Sequence, residues 1–230
     1  MTRIDIFSGF LGAGKTTLIK KLIAQAFSGE KLVLIENEFG EIGIDGGFMK
    51  DAGIEVTEMN SGCICCSLVG DFSKALDKVI REYAPDRILI EPSGVGKLSD
   101  VIRAVEGVAA HSDVMLGSFV AVADAGKAKL YAKNFGEFYN DQIENASAII
   151  LSRTQSVSES KLAETLKLLR TRNPHATIIT TPWDELPADK IVAAMSERAA
   201  LEYELAQLAA EAHEHEHEHE HEHEHDHEHE

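Results

Sequence analysis

Gly9-Phe-Leu-Gly-Ala-Gly-Lys-Thr-Thr17, GFLGAGKTT in one-letter code, follows a short apolar run, RIDIF, and opens an amphipathic one, TTLIKKLIAQAF. Gly9, Gly14, Lys15 and Thr16 fit the spacing G-x-x-x-x-G-K-[ST]. Phosphates are polyanions, and binding them needs several backbone N–H groups turned into one concavity. Gly9, Gly12 and Gly14 permit that backbone path, and the helix that follows adds the positive end of its dipole. In this pattern Lys15 reaches the β- and γ-phosphates and Thr16 holds Mg²⁺ through its hydroxyl, with Thr17 beside it in the loop's set. A strand before the loop and a helix after it are the context that a chance glycine-rich turn lacks.

Outward from the loop, β-rich runs alternate with helical ones. Strands are expected at Arg3–Phe7, Leu32–Ile35, Ile54–Thr57, Arg87–Ile90, Ser118–Val122, Ala148–Leu151 and Thr177–Thr180. Leu18, Ile19, Leu22 and Ile23 share one face of the first helix, and Leu162, Leu166 and Leu169 share one face of SESKLAETLKLLR, which Asn173–Pro174 ends. Apolar strands separated by helices predict an α/β fold of the P-loop NTPase kind, a mostly parallel sheet with helices on both faces. The nucleotide-binding domain is placed at residues 1–200. A last helix runs from Ala188 to Ala212, so 201–212 are its end, and 213–230 form a disordered tail. The fourth strand empties into ILIEPSG, which puts Glu91 at a strand end suited to ordering a Mg²⁺ shell. Gly94 then offers its N–H to a γ-phosphate. ENEFGEIGID after the second strand reads as a switch that closes on nucleotide and metal, or as a plain loop.

Composition narrows the partners. Of 230 residues, 44% are hydrophobic and 27% charged, a globular balance with a net charge of −17. Ten acids lie from Glu211 onward, leaving residues 1–210 with 22 basic and 29 acidic side chains, a net −7. Such a body has no basic stripe for nucleic acid. No apolar run is long enough to span a bilayer, and structure starts by residue 3 with no room for a signal peptide. A cytoplasmic location follows as the expectation, and thiols stay reduced there.

GFLGAGKTT, NEFGEIGID, the cysteine cluster GCICC and EPSG stand in that order. Together they resemble the CobW family of metal-related P-loop GTPases, relatives of the nickel-insertion GTPases for urease and hydrogenase, over about residues 3–182. The resemblance implies a GTP-hydrolysing metallochaperone using GTP and Mg²⁺ that carries Zn²⁺, or Co²⁺ or Ni²⁺, to a metal-requiring client protein. It implies that Cys63, Cys65 and Cys66 bind the metal, and it allows nucleotide-dependent homodimerisation. The residues agree on their own terms. Three thiolates on one ion make a soft site suited to Zn²⁺ and leave a fourth position open, for which Glu38 or Glu41, water or a client side chain are candidates. A disulfide between the neighbours Cys65 and Cys66 would be strained. Redox cycling of Cys-x-Cys is the competing reading.

The sequence departs from the family's pattern at the base motif, in the further C-terminal domain and in its tail. GTPases of this kind carry N-K-x-D after the sixth strand, and here Ser152, Arg153, Thr154 and Gln155 stand in that place. Arg153 can still cover the base, but the Gln155 amide has a single acceptor where a carboxylate takes both guanine protons, so ATP or mixed use stays open. No glutamine follows Gly94, and slow intrinsic hydrolysis, stimulated by dimerisation, metal or a partner, is expected. The further C-terminal domain common in the family is not expected here, and partner docking would then be supplied otherwise. The tail carries nine histidines at alternate positions, beginning His213, His215, His217 and His219. It reads as a weak multi-site metal reservoir, against the alternatives of a purification tag or a solubilising tail. Three further readings compete: a metal buffer with a vestigial switch, a small-molecule kinase, and a GTPase serving cobalt or corrinoid enzymes. His111 and His175 read as ordinary surface residues.

Overall fold

A computed structural model describes residues 1–36, 55–58 and 69–197, the side chains of 55–58 and 69–71 excepted. Its elements run β1 (Thr2–Ser8), α1 (Lys15–Gln25), β2 (Leu32–Glu36), β3 (Glu55–Glu58), α2 (Val69–Tyr83), β4 (Arg87–Glu91), α3 (Leu98–Ala109), β5 (Val114–Asp124), α4 (Ala128–Asn134), α5 (Gly136–Glu144), β6 (Ala148–Ser152), α6 (Glu159–Arg172) and β7 (Thr177–Ile179). Residues 188–197 are helical; the rest of the helix expected to Ala212 lies outside the described residues. Among the described residues the sheet has seven strands in the order β3-β2-β4-β1-β5-β6-β7, and each pairing is parallel. The expected strands all form, with ends shifted by one or two residues apart from β5, which starts four residues early. There Val114–Leu116 pair with Thr2–Ile4 before a register shift between Ile4 and Ile6.

β4 and β5, consecutive in the chain, lie on opposite sides of β1. The chain therefore changes winding direction at the strand that feeds the phosphate loop, the place in open parallel sheets where ligands bind beyond the strand ends. One face of the sheet is closed by α2, α3, α5 and α6, with Ile4, Ile6, Ile88, Ile90 and Leu151 in its core. The other is closed by α1 and the helical residues 188–197 over Phe7, Leu34, Leu89, Val122 and Ile150. Leu18, Ile19, Leu22 and Ile23 face inward as the periodicity predicts. In α6 the innermost residues are Thr165 and Leu169, while Leu162 and Leu166 pack at the edge. Thr165 reaches that depth because its hydroxyl donates to the Ala125 carbonyl at 2.9 Å. No described helix is long and apolar enough to cross a membrane.

The N-terminal half of the sheet holds a buried charge cluster. Asp5 on β1 is fully buried and accepts from Arg87, from Arg3 Nε at 3.3 Å and from the Ser118 N–H at 2.6 Å. Gly117 leaves room for this carboxylate, since a Cβ there would lie 2.3 Å from Asp5 Oδ1. Arg87 also grips Glu30, at 2.6 and 3.2 Å, and stacks over the Phe27 ring. Burial works against the Arg87 charge, but the hydrogen bonds and charges of Glu30 and Asp5 outweigh it and hold its pKa above the ordinary value. The cluster also fastens the last described helix, through Arg3 to Ser196 Oγ at 3.1 Å and Ser118 Oγ to the Met195 carbonyl at 3.0 Å. Removing one partner of such a pair strands the other charge, at about 3–5 kcal/mol. Asp5→Ala should therefore lower unfolding free energy in urea by about that much, and Asp5→Asn, which keeps an acceptor for the Ser118 N–H, by less. Equal stability of Asp5→Ala and the parent would show that the cluster contributes nothing net.

Candidate functional site

The loop between β1 and α1 is built by close approach. Gly9, at φ +150°, passes so near β5 that a Cβ would sit 2.3 Å from the Val122 carbonyl oxygen, and only glycine fits. Gly14 ends the loop at φ +104° as the N-cap of α1, and no side chain caps that helix or places an acid in its first turn. The end of α1 therefore presents backbone N–H groups and the positive end of the helix dipole. Lys15 is only 8% exposed, and its ammonium donates to the Gly9 carbonyl at 3.0 Å. Gly12 sits at the open tip of the loop, and Thr17 is exposed on the first turn of α1.

Beside it, Thr16 Oγ1 donates to Glu91, 2.9 Å from Oε1 and 3.2 Å from Oε2. Glu91 closes β4 at 6% exposure. A hydroxyl and a nearly buried carboxylate side by side at the lip of an anion cradle are the hard oxygen donors that suit Mg²⁺, so the residues present fit that ion. Past Glu91 the chain turns back onto the loop, and a Cβ on Gly94 would lie 2.8 Å from the Leu11 nitrogen. Lys15, Thr16, Glu91 and Gly94 are thus brought to one edge of the sheet.

At the neighbouring end of β6, Ser152 and Thr154 are buried, and neither hydroxyl has a hydrogen-bond partner among the described residues. Arg153 adopts a left-handed conformation at φ +56° and reaches Asp124 Oδ2 at 2.7 Å, while Gln155 is exposed. The other Asp124 oxygen accepts from the Gly126 N–H at 2.9 Å. Trp183 covers the junction. Its Nε1 donates to the Leu151 carbonyl at 3.0 Å, and its ring edge would lie 3.1 Å from a Cβ on Gly14. Sequence reasoning passed over Asp124 and Trp183. Asp124 ends an apolar strand as Glu91 does, and Trp183 is the sole tryptophan, four residues past β7; both were signals.

Glu38, Glu41, Cys63, Cys65, Cys66, His213, His215, His217 and His219 lie outside the described residues. Among the described residues no group of three or more His, Cys, Asp or Glu could hold a metal. The cysteine segment follows β3, whose C-terminal end points the same way as that of β1 but three strands away, about 14 Å at about 4.8 Å per strand. The register sets Glu91, Glu36 and Glu58 side by side on β4, β2 and β3 along that edge. His111 is exposed beside Asp77 at 3.2 Å, and His175 is exposed.

Comparison with known proteins fits this geometry. Residues 3–180 match the family model described as CobW/HypB/UreG, nucleotide-binding domain. A zinc chaperone CobW from a Sinorhizobium species is 33% identical over 68% of this chain and 52% of its own length. The zinc chaperone YeiR of Escherichia coli K12 is 32% identical over 71% of this chain and 50% of its own. The chain thus spans about half the length of the curated relatives it matches. Among solved structures, the Zn(II)-bound YjiA GTPase of E. coli superposes with a TM-score of 0.57 at 26% identity, covering 78% of this chain and 57% of that one. HypB from Helicobacter pylori in complex with nickel shares the fold alone, with a TM-score of 0.58 at 17% identity over 87% and 88% of the two chains. With the phosphate loop, the strand-end glutamate and the parallel sheet in place, this chain belongs to the CobW/HypB/UreG family of P-loop GTPases.

Proposed function

We propose that this chain binds GTP with Mg²⁺ on its phosphate loop, hydrolyses it, and uses that cycle to hold and hand over a transition-metal ion, zinc first, to a client protein. The observation that carries the nucleotide half is the Thr16–Glu91 pair at the uncapped N-terminus of α1, with the Lys15 ammonium buried alongside. Gly9, Gly12, Gly14, Lys15, Thr16 and Thr17 would cradle the phosphates. Mg²⁺, held by Thr16 and ordered by Glu91, would neutralise charge developing on the transferred phosphoryl group. Lys15 spreads charge from the same transition state, and Gly94 offers a backbone N–H to the γ-phosphate. No residue forms a covalent bond in this scheme; rate comes from positioning and electrostatics.

The metal half rests on sequence and kinship. Relatives bear the names zinc chaperone and, in Schizosaccharomyces pombe, zinc-regulated GTPase metalloprotein activator. Cys63, Cys65 and Cys66 offer three soft ligands, and Glu38 or Glu41 an oxygen ligand within a few residues of β2. The cysteine segment leaves β3 on the same sheet edge as the phosphate loop, which supports coupling between the two. His213, His215, His217 and His219 begin a weaker reservoir. Coupling must be reciprocal. In chelator competition on the full chain, a non-hydrolysable GTP analogue with Mg²⁺ should shift the tight Zn²⁺ affinity at least tenfold, about 1.4 kcal/mol. That tight site should vanish in a Cys63→Ser, Cys65→Ser, Cys66→Ser chain while weak binding remains. Equal affinities with and without nucleotide would favour the buffer reading, in which the switch drives nothing.

The base end makes a second forecast. The Ser152, Arg153, Thr154, Gln155 segment contributes no carboxylate for the guanine edge, and the nearby Asp124 is taken up by Arg153 and Gly126. Guanine and adenine nucleotides should therefore bind within about a hundredfold of each other, since sites built on that carboxylate discriminate by more. Gln155→Asp should raise the GDP-to-ADP affinity ratio at least tenfold, read by quenching of the sole tryptophan, Trp183. A wild-type preference for GDP far above a hundredfold would refute this account of the base site.

A further inference from the structure

The turn after β4 contains Gly94 and Gly96, which confer backbone freedom where a phosphate sensor needs a fixed shape. Its order is imposed from α5. Gln142, 1% exposed, donates from Nε2 to the Gly94 carbonyl at 3.1 Å and to the Gly96 carbonyl at 2.8 Å. Both partners are acceptors, so the amide has to present its nitrogen; its Oε1 is left buried with no partner among the described residues. A buried amide oxygen left unsatisfied costs about 1–3 kcal/mol, a cost accepted for a donor aimed at two carbonyls. The flanks of the turn are held by the same helix. Asp141 accepts from the Ser99 N–H at 3.1 Å and from its hydroxyl at 2.6 Å, and Glu137 pairs with Lys97 at 2.8 Å. Three side chains of one short helix, Glu137, Asp141 and Gln142, thus hold residues 94–99, and Gly94 is pressed onto Leu11 of the phosphate loop.

We propose that Gln142 is a positioning residue for GTP turnover, fixing the Gly94 turn in the shape that meets the γ-phosphate; this rests on the reading of the phosphate loop as a GTP site. Its amide touches no reacting atom. It removes the conformational search that two glycines would otherwise require at the moment of binding.

The consequence is selective for the third phosphate. GDP lacks the group that the turn contacts, so loss of the clamp should leave GDP bound. In Gln142→Met, GDP affinity by calorimetry should stay within about twofold, affinity for a non-hydrolysable GTP analogue should fall about five- to tenfold, and kcat should fall at least tenfold, the scale of losing preorganised hydrogen bonds. Gln142→Asn, which withdraws the amide by one methylene, should show the same pattern; circular dichroism establishes that each variant is folded. In the unmodified chain, hydrogen exchange across residues 93–98 should slow more with the GTP analogue than with GDP. Equal weakening of both nucleotides, an unchanged kcat, or equal exchange protection by the two nucleotides would each overturn the role. A parent chain that binds neither nucleotide would overturn the GTP reading and this one with it. Normal binding and turnover in the parent, with both variants unaffected, would remove Gln142 alone.

Discussion

Glu91 is a carboxylate almost out of water at the end of an apolar strand, and the hydroxyl of Thr16 is what meets it there. That one hydrogen bond joins the first turn of α1 to the last residue of β4, two elements separated by 75 positions in the chain. A buried acid needs a donor or a cation. The pairing therefore keeps the mouth of the phosphate loop and the start of the Gly94 turn in fixed relation. Around it on this edge lie Lys15 on one side, the clamp from α5 on the other, and the row of Glu36 and Glu58 leading away across β2 and β3.

The parts legible in the sequence are those decided by neighbours in the chain. GFLGAGKTT states its own turn, its own helix start and its own ligand, because glycine geometry and a helix dipole act over a few residues. Strands were readable from apolar runs, with β5 longer than expected because its first residues pair with β1 through a register shift that Gly117 makes room for. The inward turn of Thr165 was not readable, since it depends on the Ala125 carbonyl 40 residues away. Gln142, Asp124 and Trp183 were missed for the same reason. Each matters through a partner brought near by a crossover, and a lone glutamine in DQIENA looks like helix surface. Of the proposed metal ligands, sequence is the sole witness.

The base end illustrates how a substitution is accommodated. An arginine in the place of the family's lysine brings a planar guanidinium with several donors, and Asp124 accepts one of them at 2.7 Å. The left-handed backbone at Arg153 is the conformation that a non-glycine residue adopts only when its surroundings hold it there. Asp124 is thus already engaged by protein through Arg153 and Gly126. In the proposed base site, recognition would then fall to shape, to the Trp183 ring and to backbone groups.

Fastening the last described helix to Arg3 and Ser118 fixes where the remaining chain departs. Ser118 lies six residues before the end of β5, so Ser196 is anchored about 20 Å below the phosphate-loop edge at about 3.3 Å per strand residue. Sixteen residues, 197–212, separate that anchor from His213. A spacer of that length can span at most about 55 Å, more than the distance from the anchor to the nucleotide edge. If the tail is the metal reservoir proposed above, the length of this spacer, and not the tail's own affinity, sets the effective concentration of its imidazoles at the cysteine segment.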